Sequence, residues 1–148
     1  LHGDLNIGIA VDLDQEGLIV PVLKQADQYR LAGVARNIVD LATRARNKAL
    51  GPDDLSGGSF SITNMGPFGT MMTAPIINVP QTAILATDGI KKRPVVVEGE
   101  SGDQIAIHHV GYLGLTWDHR AFDGSTAGMF LARIKRSIET WDWEQELV

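Results

Sequence analysis

Apolar and polar positions recur along this chain with two different periods, and the changes of period mark its elements. Leu5-Asn6-Ile7-Gly8-Ile9-Ala10-Val11-Asp12 alternates in the manner of a strand. After an acidic turn containing Gly17, Leu18-Ile19-Val20-Pro21-Val22-Leu23 makes a second run. Pro21 cannot donate to a ladder, so that run lies at an edge or bends. Between Leu31 and Leu50 the apolar residues Leu31, Val34, Ile38, Leu41, Ala42, Ala45 and Ala49 return at three- and four-residue steps, while Arg36, Asp40, Arg44 and Lys48 fall elsewhere. This predicts an amphipathic helix stopped by Gly51-Pro52.

Beyond a turn from Asp53 to Gly58, Ser59-Phe60-Ser61-Ile62-Thr63 predicts a strand with one buried face. Asn64 to Pro80 is too broken by Gly and Pro for a regular element, yet its Met and Ile residues predict that it packs against something. Gln81 to Ala86 predicts a strand. Val95-Val96-Val97 and Ile105-Ala106-Ile107 predict two strands joined by a glycine-containing hairpin loop. Val110 to Trp117 predicts a central strand. Ser125 to Trp141 places Ala127, Phe130, Leu131, Ile134, Ile138 and Trp141 on one stripe, with Ser125 as the helix N-cap. Strands, helix, several strands and a final helix imply one α+β domain, a two-layer sandwich of a mixed sheet with helices on one face.

Composition narrows the chemistry. The chain has 148 residues, 44% of them hydrophobic and 21% charged, which is enough for one core. No apolar run approaches the roughly 20 residues of a membrane span. No basic region precedes an apolar stretch, so no signal peptide is expected. Without cysteine there is no disulfide, no thiolate nucleophile and no Cys-based metal site. Net charge is −5 and the one basic cluster is Lys91-Lys92-Arg93, which argues against a nucleic-acid partner.

The densest candidate chemistry is Trp117-Asp118-His119-Arg120-Ala121-Phe122-Asp123-Gly124. On a strand, Asp118 and Arg120 point to one side and His119 to the other. Flanked by Trp117 and Phe122, His119 is expected to be partly desolvated, which favours a neutral base near pH 7. A core histidine with a satisfied hydrogen bond is the competing reading. A metal site built from His108, His109, His119 and Asp123 is disfavoured, because adjacent strand residues face opposite ways.

Asp118-His119-Arg120-Ala121-Phe122-Asp123-Gly124 resembles the Asp-His-Arg-x-x-Asp-Gly signature of the acyltransferase component of 2-oxo acid dehydrogenase complexes. A second block is similar as well: Gly57-Gly58-Ser59-Phe60-Ser61-Ile62-Thr63-Asn64-Met65-Gly66, Phe68-Gly69, and Ala74-Pro75-Ile76-Ile77-Asn78 through Gln81-Thr82-Ala83-Ile84-Leu85. Asn6 to Val11 with Gly17 to Val22 makes a third. The resemblance covers nearly the whole chain and implies a fold like that of chloramphenicol acetyltransferase. It implies that residues 1–148 are the C-terminal portion of the catalytic domain, lacking its N-terminal part. It further implies a homotrimer assembling into a larger core, with active sites in channels between subunits. His119 then corresponds to the general base of one subunit, Thr63 to the oxyanion-binding hydroxyl of its neighbour, and Asp123 to an orienting acid. Ala121-Phe122 departs from the smaller branched residues often found there, so the channel near the acyl group is expected to differ in shape.

Coenzyme A is implied as substrate, with the lipoyl group carried on a separate domain, no metal, and the decarboxylase and dihydrolipoamide dehydrogenase components as partners. The expected location is the cytoplasm, or the mitochondrial matrix of a eukaryote. The acyl group is left open among acetyl, succinyl and branched-chain. A thiol pKa of about 8.5 and an imidazole pKa of about 6.5 make proton transfer cost only roughly 2.7 kcal/mol, so a His base suffices. Two other functions are weighed beside this one: a small-molecule O- or N-acyltransferase on the same fold, and a structural core protein without catalysis. Lys91-Lys92-Arg93 is read as a solvated turn in preference to a coenzyme A phosphate contact. The closing Trp141 to Val148 is expected to pack on a neighbouring subunit or on the base of the last helix.

Overall fold

The computed structural model of the chain describes residues 3–14, 16–100 and 102–146. Its main sheet has five strands in the order β4-β1-β5-β6-β9, namely Val22–Leu23, Ile7–Ile9, Phe60–Asn64, Ala83–Thr87 and Leu113–Trp117. β1, β5 and β6 run parallel, and β4 and β9 close the two edges antiparallel. The mixed α+β architecture expected from the element order is therefore present.

The buried centre is β6, where Ala83, Ile84, Leu85 and Ala86 are all buried. A continuous apolar run of this kind is what a strand covered on both faces requires. Val110 to Trp117 was expected to be central, but its strand part, Leu113–Trp117, is an edge. Gly114 and Thr116 interrupt its apolar pattern, and all five of its residues are only half-buried.

Pro21 meets both sequence expectations. It separates β3 (Leu18–Ile19) from β4, and β4 is an edge strand. β3 instead pairs with β2 (Val11–Asp12) in a small separate hairpin. Ser61 corrects the expected burial of its strand: this serine, not Phe60 or Ile62, is fully buried. Its hydroxyl donates to Gln81 Oε1 at 2.7 Å, which removes the penalty for burying it.

The first helix, α1 (Leu31–Arg46), buries Leu41 and Ala45 and packs against β4 and β2. Burying one such leucine contributes about 2 kcal/mol. The helix ends four residues before the expected Leu50 because Lys48 turns left-handed, at φ 56°. Lys48 N donates to Ala45 O and Ala49 N to Arg44 O, a Schellman closure with a lysine where glycine is usual. Gly51-Pro52 does not stop the helix; it opens the next 3-10 turn, Pro52–Leu55. Asp54 fastens that turn, accepting from Gly51 N at 2.9 Å and from Arg44 Nη1 at 2.8 Å.

β7 (Lys91–Val97) and β8 (Gln104–Val110) form a separate two-stranded ribbon, longer than the expected hairpin. Lys91, Lys92 and Arg93 lie within it opposite Val110, His109 and His108, so the basic cluster is strand and not turn. The last helix, α2 (Gly124–Thr140), lies against the sheet through Phe130, whose ring meets that of Phe60 edge-on at 5.9 Å. After α2, Trp143 Nε1 donates back to Ile138 O at 3.0 Å, but Trp141 and Trp143 stay exposed, so the expected packing of the tail on the helix base is not seen within the chain. Leu147 and Val148 lie outside the described residues.

Candidate active site

His119 sits in the turn between β9 and α2. Asp118 N donates to Thr82 O at 2.8 Å, so the ladder continues one residue past Trp117 before the chain turns. Ala121 N then donates to Asp118 O at 2.9 Å and closes a tight turn around His119 and Arg120. The period-two reading of these residues gives way to that turn, but Asp118 and Arg120 still share a side. The Asp118 carboxylate accepts from Arg120 N at 2.9 Å and pairs with the Arg120 guanidinium, Nη2 at 2.7 Å. The guanidinium bonds, joined by the backbone N–H, hold the Asp118 pKa down at about 2.

Behind the turn, Trp117 Nε1 donates to Phe122 O at 3.1 Å, and the two rings stack 6.3 Å apart. The Trp117 ring lies 5.9 Å from that of His119. The aromatic pair therefore braces the turn from one side and does not enclose the histidine. In the single chain His119 is exposed, contrary to the expected partial desolvation.

Asp123 is the N-cap of α2, replacing the expected Ser125. It accepts from Thr126 N at 2.8 Å and from Ser125 Oγ at 3.0 Å. A carboxylate at a helix N-terminus meets free N–H groups and the positive end of the dipole. The Thr126 backbone N–H, then the hydroxyls of Thr126 and Ser125, hold its pKa below the usual range, with His119 contributing least. The acid of the motif thus anchors the helix that begins one residue later.

Thr63 is half-buried near the end of β5. The chain beyond it is tightly fitted. Asn64 Oδ1 accepts from Gly66 N at 2.8 Å, and a Cβ on Gly66 would stand 3.1 Å from the Asp88 backbone. Asp88 holds Thr70 and Thr73 through its carboxylate at the end of β6, but the expected packing of the segment's Met and Ile side chains is not seen within the chain, where Met71, Met72 and Ile76 are exposed. Sequence reasoning missed Asp88 and the Trp117 brace. An acid directly after five strand residues, followed by Gly, was the available signal for the first.

Register separates the two principal candidates. Thr63 pairs with Ala86 and Ala86 with Gly114, whereas Trp117 pairs with Ala83. Three residue steps along the strands and two strand spacings across put Thr63 and Trp117 about 14 Å apart. Asp118 continues the ladder one step farther on the Trp117 side, and His119 follows it in the turn. One chain does not bring Thr63 and His119 to a common reacting atom; His119 and Asp123 do share one turn. His108 and His109 are both exposed on β8, away from that turn. Among the described residues no three His, Asp or Glu side chains gather as a cation site.

With this geometry in hand, residues 1–146 match the family described as 2-oxoacid dehydrogenases acyltransferase (catalytic domain), and the chain belongs to that family. It is 46% identical over 146 residues to the dihydrolipoyllysine-residue acetyltransferase component of the pyruvate dehydrogenase complex of Corynebacterium glutamicum, covering 99% of this chain and 22% of that protein. Other relatives are named as succinyltransferase and branched-chain lipoamide acyltransferase components. Among solved structures, a chain described as a probable dihydrolipoamide acetyltransferase from Listeria monocytogenes superposes with a TM-score of 0.87 at 43% identity, covering 93% of this chain and 57% of that one. The dihydrolipoamide acetyltransferase of Azotobacter vinelandii matches with a TM-score of 0.83 at 33% identity, over 99% of this chain and 58% of that one. In that enzyme a serine, a histidine and an asparagine four residues past the histidine were studied for their role in the catalytic mechanism. His119 and Asp123 have the same spacing. The chain spans about a fifth of the Corynebacterium relative and less than two thirds of these solved chains.

Proposed function

We propose that the protein is a dihydrolipoamide acyltransferase of a 2-oxoacid dehydrogenase complex, with His119 as general base, Asp123 as the acid that sets its turn, and Thr63 as the hydroxyl donor to the oxyanion. The observation that most supports this reading is the turn itself. The two acids of the motif are engaged elsewhere, Asp118 with Arg120 and Asp123 with Ser125 and Thr126, while the imidazole is left exposed on a braced support.

His119 takes the proton from the thiol of coenzyme A or dihydrolipoamide as the sulfur attacks the thioester carbonyl, forming a new C–S bond. The carbonyl oxygen becomes an oxyanion and accepts a hydrogen bond from the Thr63 hydroxyl, worth about 10²- to 10³-fold in rate. Collapse breaks the original C–S bond, and the departing sulfur receives the proton back from His119. No acyl-enzyme is required, and the reverse reaction follows the same path. The lipoyl group arrives on a separate domain, coenzyme A binds as substrate, and the decarboxylase and dihydrolipoamide dehydrogenase components complete the system.

Because Thr63 and His119 stand at opposite ends of the sheet, we assign them to one site only across two copies, in a homotrimer that builds a larger core. The test is acyl transfer from acetyl-, succinyl- and branched-chain acyl-coenzyme A to dihydrolipoamide by the full-length protein and its His119→Ala form. A loss of about 10²-fold or more is expected. Equal activity in both removes the base assignment, and activity on alcohols or amines alone makes the protein a small-molecule acyltransferase.

A further inference from the structure

Asp88 follows the most buried strand of the protein and is itself 5% exposed. Its Oδ1 accepts from Thr70 Oγ1 at 2.6 Å and Thr73 Oγ1 at 2.7 Å, and its Oδ2 from Thr73 N at 3.0 Å. These bonds, Thr70 first, keep its pKa below the usual range although burial opposes them. Among the described residues it makes no ion pair. An anion stabilised by neutral donors alone is sensitive to their placement, so the carboxylate and its loop fix one another.

That loop, residues 65–73, is the direct continuation of the Thr63 strand. Its backbone is pinned beside the end of β6, although Phe68, Met71 and Met72 are exposed. Met65 N donates to Thr87 O at 3.1 Å and Gly89 N to Thr70 O at 3.0 Å. A Cβ would stand 3.0 Å from Thr70 O at Gly89 and 2.9 Å from Thr73 O at Gly114. Gly114 belongs to the row Thr63, Ala86, Gly114, so the loop that leaves the Thr63 strand returns over that row two strands away from Thr63.

We infer that Asp88 is a positioning residue for the hydroxyl half of the site, acting through the loop 65–73 on the end of β5; this rests on the role proposed for Thr63 above. Asp88→Asn keeps the shape but sets an amide N–H against the Thr73 N–H or loses one acceptor. The expected result is a kcat about 10-fold lower with KM for acyl-coenzyme A within about twofold, the mark of an interaction that matters in the transition state.

Mixed oligomers of the full-length protein identify which half is affected. In a random equal mixture of His119→Ala and Thr63→Ala chains, about one site in four draws an intact His119 and an intact Thr63 from different copies, whatever the ring size. This control mixture should recover about a quarter of wild-type activity. Asp88→Asn mixed with His119→Ala should also reach about a quarter, because the second chain supplies a sound hydroxyl half. Mixed with Thr63→Ala it should reach only about a twentieth. If the control stays at the level of its parents, the two-copy reading falls and the inference falls with it. If the control recovers but Asp88→Asn rises with Thr63→Ala, or with neither partner, the assignment of Asp88 alone is overturned. A wild-type kcat in Asp88→Asn overturns it too. Should that variant not fold, Thr73→Val takes its place under the same outcomes, with Thr73→Ser expected to restore kcat.

Discussion

Gly8 and Ser61 offer a test of the packing that carries the Thr63 strand. The two residues are register partners on β1 and β5. A Cβ on Gly8 would stand 2.6 Å from Ser61 Oγ and 2.9 Å from Val20 Cγ1, yet 3.5 Å from Ser61 Cβ, an ordinary contact. The serine hydroxyl cannot simply rotate away, because it donates to Gln81 Oε1 at 2.7 Å. Gly8→Ala should therefore cost about 2 kcal/mol through overpacking. Ser61→Ala should cost about 1 kcal/mol through the lost hydrogen bond. In the double variant the Oγ collision is gone and the Val20 collision remains. Its cost should be about 2 kcal/mol, roughly 1 kcal/mol less than the sum of the single variants. Denaturant titration at fixed protein concentration, with unchanged m-values, reads this coupling. Additivity within about 0.5 kcal/mol would show that the Gly8 constraint does not run through Ser61.

Three further outcomes can be checked separately. Lys48→Gly should raise stability by about 1 kcal/mol, since glycine adopts the left-handed conformation freely and the exposed Lys48–Glu16 pair that it removes contributes little; thermal denaturation showing a loss would contradict this. Asp118 is held at about 2 in the folded protein against about 3.9 unfolded, so its stabilisation is complete above pH 4 and is lost as pH falls toward 2. Asp118→Asn should flatten that acid limb of the denaturation midpoint, and an unchanged limb would refute the pairing. Trp117→Phe keeps an aromatic ring but leaves Phe122 O without its donor, and should lower kcat about threefold or more with little change in KM; an unaltered kcat would remove the brace from the account.

The helix cores and the existence of most strands were legible because each carries a repeated period, and the turn bearing His119 was legible as a motif. Boundaries were not. α1 stops early because one lysine accepts a left-handed conformation, and α2 starts early because Asp123 caps it where Ser125 was expected. Both outcomes depend on one residue's dihedrals or hydrogen bonds, which no periodic signal encodes. The central place of β6 and the edge place of β9 have a different origin. Ala83 to Ala86 is a short continuous apolar run, which marks a buried strand but does not say which neighbours flank it; its central place follows from the pairings with β5 and β9. The local sequence also gave no sign that Ser61 would be the most enclosed member of its strand, because Gly8 and Gln81, which make room for it and bond it, lie far away along the chain.

The separation between Thr63 and His119 is the most consequential property of this kind. Each residue could be nominated from its own motif, but the distance between them is a property of strand register, and register is set by pairings among β5, β6 and β9. Those pairings are fixed by a buried core, so the separation of Thr63 from Trp117, the strand residue from which the His119 turn springs, cannot change without sliding a strand. On the proposed mechanism, both groups must reach one thioester carbon, and two copies in head-to-tail contact satisfy that while leaving each sheet intact. On that proposal, dissociating the oligomer should abolish acyl transfer even where each sheet stays folded, and a fully active monomer would refute it.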